Sequence, residues 1–136
     1  LEQAVDDLGA RMEAAERAPL DPPDRLHRIT GEMVEGFSRH MMPLRPLMQG
    51  QTELREDWRR LVLDARRRLV RVLRQHFERG RADGWYVPVD PDLVPHMVMG
   101  MIRSSVTHVS GKGLAEVTDG ITAFVLRACL VPEKSA

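Results

Sequence analysis

The chain has 136 residues, with 20 lysines and arginines against 20 aspartates and glutamates, so its formal net charge at neutral pH is zero. This length allows one domain with a substantial core, and the missing basic excess predicts only weak DNA binding by the chain itself. No apolar run is long enough to span a membrane, and the first residues lack the basic start of a signal peptide. The single cysteine, Cys129, excludes an internal disulfide and favours a reducing, cytoplasmic location.

The first predicted helix covers residues 1–17, and its apolar residues recur at three- and four-residue steps along one stripe. They are Leu1, Val5, Leu8, Met12 and Ala15. No capping residue precedes Leu1, so we expect this helix to continue from a segment upstream. Asp21 followed by Pro22 predicts the start of a second helix, which reaches about Met42.

The longest predicted helix runs from about Thr52 to Arg81. It follows a segment in which Pro43 and Pro46 allow only a short helix or a turn. Its apolar stripe continues over six turns and consists of Leu54, Trp58, Leu61, Val62, Ala65, Leu69, Val72, Leu73 and His76. A stripe of this kind predicts an amphipathic helix packed on a core.

The arginines of this helix fall on the face opposite the stripe, at Arg60, Arg67, Arg71 and Arg74. Glu56 stands four residues before Arg60, and Asp64 four before Arg68, which is a favourable spacing for ion pairs within a helix. Charge runs of this kind are most often solvent faces. We therefore interpret this face as exposed and internally paired, and a phosphate-binding face is the alternative.

Two further helices complete the chain. The segment 85–89 is predicted to be extended, and Asp90 followed by proline predicts a helix over 91–110. Residues 111–113 form a tight turn, and a last helix runs over 114–130. So short a connection predicts an antiparallel hairpin. The fold class is therefore all-α, a bundle of about five to six helices.

Both helices of this hairpin are apolar over most of their circumference, so each is expected to be buried on more than one side. The second covering surface is predicted to be the same hairpin of another copy, in a twofold four-helix interface. The predicted interface residues are Ile102, Val106, Val109, Val117, Ile121, Phe124 and Val125.

No catalytic or metal site is predicted. The five histidines include no i,i+4 pair and have no companion cysteine at zinc spacing. The Gly-Lys-Gly run at 111–113 lacks the preceding strand, the earlier glycine and the following Ser or Thr of a phosphate loop. Ser104, Ser105 and His108 do not form a nucleophile with an oriented base. The sequence therefore predicts neither an enzyme nor a cofactor.

Four stretches resemble the C-terminal regulatory domain of TetR family repressors. Residues 69–85, LVRVLRQHFERGRADGW, resemble the long helix that ends in a glycine turn, and residues 89–94, VDPDLV, resemble the capped start of the next helix. Residues 99–102, MGMI, continue that likeness, and residues 21–26, DPPDRL, resemble the start of the first core helix. The family likeness implies that residues 1–136 form one ligand-binding and dimerisation domain.

The resemblance also implies how such a domain works. Residues 1–17 would be the linker helix to an N-terminal helix-turn-helix headpiece, which is absent from this sequence and through which alone DNA would be bound. An effector entering the bundle would shift this helix and loosen operator binding. That effector must bind the DNA-incompetent state more tightly than the competent one.

An apolar effector pocket is predicted from the helical stripes together with the family resemblance. Methionine is flexible and polarisable, which suits a pocket for apolar ligands. The predicted lining residues are Phe37, His40, Met41, Trp58, Leu61, Ala65, Met97 and Met101, with His40 as the main polar contact. The alternative is a helical dimerisation or interaction module with no small-molecule ligand, in which the methionines fill the core.

Overall fold

A computed structural model describes residues 2–41 and 56–135 of the chain, and its regular elements in these ranges are helical. The helices are α1 (Glu2–Arg17), α2 (Pro22–Gly36), α3 (Glu56–Ala82), α4 (Val94–His108) and α5 (Leu114–Cys129). A π-helical turn over Phe37–Met41 extends α2, and a 3-10 turn covers Pro132–Lys134. The predicted all-α class is confirmed. The short segment around Pro43 and Pro46 and the predicted start at Thr52 lie outside the described residues.

The start of α2 lies where the sequence predicts it, although its cap differs from the usual form. Asp21 is extended at the N-cap position, and its side chain makes no capping hydrogen bond. A capping side chain accepts from the second or third helical amide, and Pro23 removes one of these donors. The Asp21 carbonyl accepts the amide of Arg25 at 2.9 Å instead.

The start of α4 lies three residues later than predicted. Asp90 Oδ1 accepts the backbone amides of Asp92 at 2.8 Å and Leu93 at 3.2 Å, so Asp90 caps a turn rather than the helix itself. This turn leads into α4 at Val94. Asp90 therefore accepts backbone amides as a capping residue does, but the helix begins one turn after it.

α2 is the central element of the bundle, because it packs against α1, α3, α4 and α5. The buried apolar side chains form one cluster contributed by all five helices. Its fully buried members include Met12, Leu26, Ile29, Met33, Leu73, Phe77, Val98 and Ile102. Burying an aliphatic or aromatic side chain of this size contributes about 1.5 to 3 kcal/mol, so this cluster is the main source of stability.

The segment after α3 is extended, as predicted, and it is tied to the end of the chain. The amide of Val87 donates to the carbonyl of Cys129 at 2.8 Å, and the amide of Val131 donates to the carbonyl of Trp85 at 2.9 Å. These two bonds form an isolated antiparallel bridge. They hold the residues that follow α5 against the end of α3.

The arginines of α3 are divided between solvent and neighbouring elements. The exposed positions, as predicted, include Arg60, Arg67 and Arg71. Asp64 pairs with Arg67 at 3.7 Å rather than with Arg68, because Arg68 turns towards α1. Arg74 pairs with Asp92 beside the start of α4, and its side chain stays 43% exposed.

Candidate functional site

The elements that carry the predicted pocket are neighbours in the fold. The π-helical turn contacts α4, and α3 packs against the same helix. The half-buried side chains of the predicted lining are Phe37, His40, Trp58, Leu61, Ala65 and Met101. The side chain of Met41 lies outside the described residues.

The structure places Met97 differently from the predicted lining. Its side chain is 54% exposed, whereas Met99 is 8% exposed and belongs to the core cluster. Two residues along a helix differ in direction by about 200°. The inward sector of α4 therefore contains Met99 and Ile102, and Met97 is removed from the proposed lining.

The apolar stripe of α3 is unevenly covered within the described residues. Its C-terminal half is at most 5% exposed at Leu69, Val72, Leu73, His76 and Phe77. Its N-terminal half is only half-buried at Trp58, Leu61, Val62 and Ala65. The stripe thus continues past the core, and its N-terminal half keeps apolar surface that the described elements do not cover.

A buried polar cluster, which the sequence analysis did not identify, lies at the other end of α3. His76 Nε2 is 2.6 Å from the hydroxyl of Tyr86, and Arg25 Nε donates to His76 Nδ1 at 3.4 Å. Because Nδ1 accepts, the imidazole proton is on Nε2, which donates to Tyr86. Burial, together with the charges of Arg25 and Arg79, lowers the pKa of His76 to about 3, so the ring is neutral. The only sequence signal was a histidine within an apolar stripe.

This cluster is separate from the predicted pocket. His76 is eighteen residues from Trp58 on the same helix, which corresponds to about 27 Å along its axis. Arg25 is 3% exposed, and its Nη2 has no hydrogen-bond partner within the described residues. His40 therefore remains the candidate polar contact of the pocket.

The described residues contain no group of three or more His, Cys, Asp or Glu side chains that could hold a metal ion. Cys129 is buried, and burial raises the pKa of its thiol, so it is a packing residue rather than a thiolate. In the same part of the chain no helix is both long and apolar enough to cross a membrane.

The predicted dimer residues divide into an inner group, an outer group and two half-buried positions, Val106 and Val117, which pack against the core cluster. Ile102, Ile121 and Val125 are at most 7% exposed and belong to the core of the single chain. Val109 and Phe124 are 48% and 65% exposed. Both helices are apolar on two sides, and the sequence pattern does not say which side the chain itself covers. The inner group is therefore removed from the proposed interface.

The outer face of α4 and α5, with the residues that flank these helices, has a composition that suits a contact between helices. Its exposed large side chains are Leu93, Met97, Val109 and Phe124, whereas Leu114 is exposed towards the groove between α2 and α5. Gly100 and Gly120 lie on the same two helices, and a Cβ added at either would meet no atom within 4 Å. We call this face the hairpin surface.

A groove of about 640 Å³ lies between α2 and α5. It is open and lined mainly by polar side chains, and His27 Nε2 lies 2.7 Å from Asp119 Oδ1 at its edge. None of the predicted lining residues borders it. It is therefore not the predicted apolar site.

The helix order and packing are similar to those of two solved transcriptional regulators. The fold is similar to that of a TetR/AcrR regulator from Thermobifida fusca, with a TM-score of 0.74 and 21% identity over 91% of this chain and 67% of that one. It is also similar to the TetR family regulator PfmR from Thermus thermophilus, with a TM-score of 0.79 and 23% identity over 93% of this chain and 70% of that one. This chain thus spans about two thirds of each regulator.

The family is shown by sequence as well. Residues 19–129 match the family described as tetracyclin repressor-like, C-terminal domain, and the chain belongs to this family. No curated protein shows significant sequence similarity to the chain. Membership supports a role in transcriptional regulation.

Proposed function

We propose that the chain is the effector-binding and dimerisation domain of a transcriptional repressor. A small apolar effector binds between the π-helical turn, α3 and α4, and two copies pair through the hairpin surface. The family match supports the regulatory role. The observation that carries the effector site is the uneven cover of the α3 stripe, whose N-terminal half is only half-buried.

The residues around this site favour an apolar ligand with one polar group. Phe37, Trp58, Leu61, Ala65 and Met101 are uncharged, and His40 is the main hydrogen-bonding side chain of the lining, beside the indole N–H of Trp58. None of these described residues carries a fixed charge, so an ionised ligand group buried against them would lack a charged partner among them, which is costly. Apolar pockets with a few polar contacts are the common form of small-molecule sites.

Control of DNA binding would pass through α1. This helix packs on α3, which also carries the proposed site, so an effector that moves α3 changes the surface on which α1 lies. An effector changes the balance between two positions of α1 only if it binds the chain more tightly in one of them, because equal affinities leave the equilibrium unchanged.

The dimer proposal rests on the exposed side chains of the hairpin surface. Phe124 and Met97 are more than half exposed, and Gly100 and Gly120 allow a facing helix to approach closely. A second copy presents the same face, so a twofold arrangement covers both.

The effector site is tested with N-phenyl-1-naphthylamine, a neutral apolar dye that fluoresces when it is buried. We expect saturable binding, with quenching of Trp58 emission in a Trp85→Phe background that leaves Trp58 as the only tryptophan. Ala65→Trp should abolish dye binding by filling the site. The control is Ala82→Trp at an exposed position of the same helix, which should bind normally. Unchanged dye binding in Ala65→Trp would place the site elsewhere, and no binding to wild type would favour the ligand-free interaction module.

A further inference from the structure

Helix α1 has few apolar anchors for its length. Its buried residues are Gly9, Met12, Ala15 and Glu16, of which only Met12 is a large apolar side chain. Val5 and Leu8 are half-buried. Apolar burial therefore explains only part of the attachment of this helix, and polar contacts add to it, one with α2 (Arg11 with Glu32 at 3.9 Å) and several with α3.

Arg79 of α3 holds the C-terminal end of α1. Its Nη1 donates to the Glu16 backbone carbonyl at 2.7 Å and to the Glu16 carboxylate at 2.6 Å, and the Glu16 side chain is 8% exposed. The last four carbonyls of a helix have no partner within that helix, and a cation at this end is favoured by the helix dipole. Arg79 thus caps α1 from the neighbouring helix.

Arg68 of α3 holds the middle of α1. Its Nε donates to the Glu13 carboxylate, and its Nη1 lies 3.7 Å from Asp6 Oδ1. The guanidinium lies directly over Gly9, where an added Cβ would stand 2.5 Å from Cζ of Arg68. Alanine at position 9 would require the flexible end of the Arg68 side chain to shift away from this contact.

The two contacts are in register along both helices. Arg68 and Arg79 are eleven residues apart, close to three helical turns, so they share one face of α3. Asp6, Gly9 and Glu13 follow at steps of three and four residues, with Glu16 three residues further, so they share one face of α1. An acidic stripe interrupted by one glycine therefore meets two arginines of α3.

We propose that α1 is positioned on the bundle by an arginine clamp of α3, in which Arg68 and Arg79 are the two arms and Gly9, over which the Arg68 guanidinium lies, is the seat of the first arm. The Arg68 arm is about one third exposed, as is Glu13, so salt screens it. The attachment of α1 therefore weakens as ionic strength rises, while the core beneath it does not. This inference does not depend on the effector site.

The salt dependence is tested by hydrogen exchange with mass spectrometry on the whole chain. The Debye length falls from about 10 Å at 0.1 M salt to about 3 Å at 1 M. Over this range we expect amide exchange in α1 to rise about two- to fivefold, the size typical of partly exposed ion pairs, with residues 69–77 unchanged. Arg68→Met should remove most of this salt dependence. An undiminished salt dependence in Arg68→Met would overturn the proposal.

The role of Gly9 is tested by a cycle of variants. Helix propensity and the contact with Arg68 predict opposite effects of Gly9→Ala on amide exchange in α1. Gly9→Ala favours the helix intrinsically, so in an Arg68→Met background it should slow exchange in α1. In the wild-type background the same change displaces the guanidinium, so exchange should quicken or stay level. Gly31→Ala, at a helical position of α2 where the added Cβ would meet only Thr118 Cγ2 at an ordinary contact distance of 3.5 Å, is the control and should leave α1 unaffected. Equal effects of Gly9→Ala in both backgrounds would show that the contact of Arg68 with α1 does not depend on Gly9.

The second arm has its own test. Arg79→Met should speed exchange at the last turn of α1, because it leaves the buried Glu16 carboxylate and its backbone carbonyl without their donor. Circular dichroism and the exchange of residues 69–77 report whether the bundle stays folded in this variant. Normal protection of the last turn in a folded Arg79→Met chain would remove Arg79 from the clamp.

Discussion

His76 and Tyr86 are hydrogen-bonded partners in the core, with Nε2 and the phenolic oxygen 2.6 Å apart and both side chains at most 2% exposed. Their rings also meet edge to face, with centroids 5.2 Å apart. The pair joins the end of α3 to the extended segment that follows it, so it fixes how the chain leaves the long helix.

Removing the Tyr86 hydroxyl should destabilise the chain. Tyr86→Phe leaves the buried Nε2–H of His76 without an acceptor, at a cost of about 1 to 3 kcal/mol measured by urea unfolding. The double variant His76→Phe/Tyr86→Phe replaces both partners by apolar rings and should cost less than the sum of the single changes. Strictly additive costs would mean that the pair is not energetically coupled.

The neutral state of His76 predicts a pH dependence of stability. Its pKa is lowered from 6.5 to about 3 in the folded chain, so between these values the unfolded chain binds a proton that the folded chain does not. Stability is therefore complete above about pH 6.5 and falls as pH decreases towards 3, by about 1.4 kcal/mol per pH unit. Urea unfolding at pH 7.5, 6.5 and 5.5 measures this slope. A His76→Phe variant should flatten it, and an equal slope in that variant would assign the pH dependence to other groups.

Charged substitutions distinguish interface residues from core residues, because the first should break the dimer and the second should unfold the chain. Phe124→Glu should convert a dimer to a folded monomer in analytical ultracentrifugation, because it places a carboxylate in the proposed pairing surface. Ile121→Glu should unfold the chain, because Ile121 is 7% exposed and lies in the core. Leu63→Glu, at a side chain 51% exposed on α3, is the control and should remain dimeric. A monomeric wild type would remove the proposed interface.

The solvent-facing arginines should contribute little to stability. Arg67→Ala and Arg71→Ala are each expected to change the free energy of unfolding by no more than about 0.5 kcal/mol, since both side chains are exposed. Urea unfolding measures the effect. A loss of several kcal/mol would show that this face is covered by another surface.

The sequence alone determined the helical class and most helix boundaries. Apolar residues at three- and four-residue steps define α1 and α3. Proline and acidic residues mark the start of α2 and the turn that precedes α4. These signals act between residues at most about four positions apart, where the spacing within one helix decides which side chains are neighbours.

The tertiary structure decided which of several suitable neighbours each side chain meets. Helical spacing allowed Arg68 to pair with Asp64, but Arg68 lies against Glu13 of α1. α4 and α5 are apolar on two sides, and packing on α2 turns Ile121 inward and leaves Phe124 exposed. These choices depend on contacts between distant parts of the chain, because the face that one helix buries is set by the helices that pack against it.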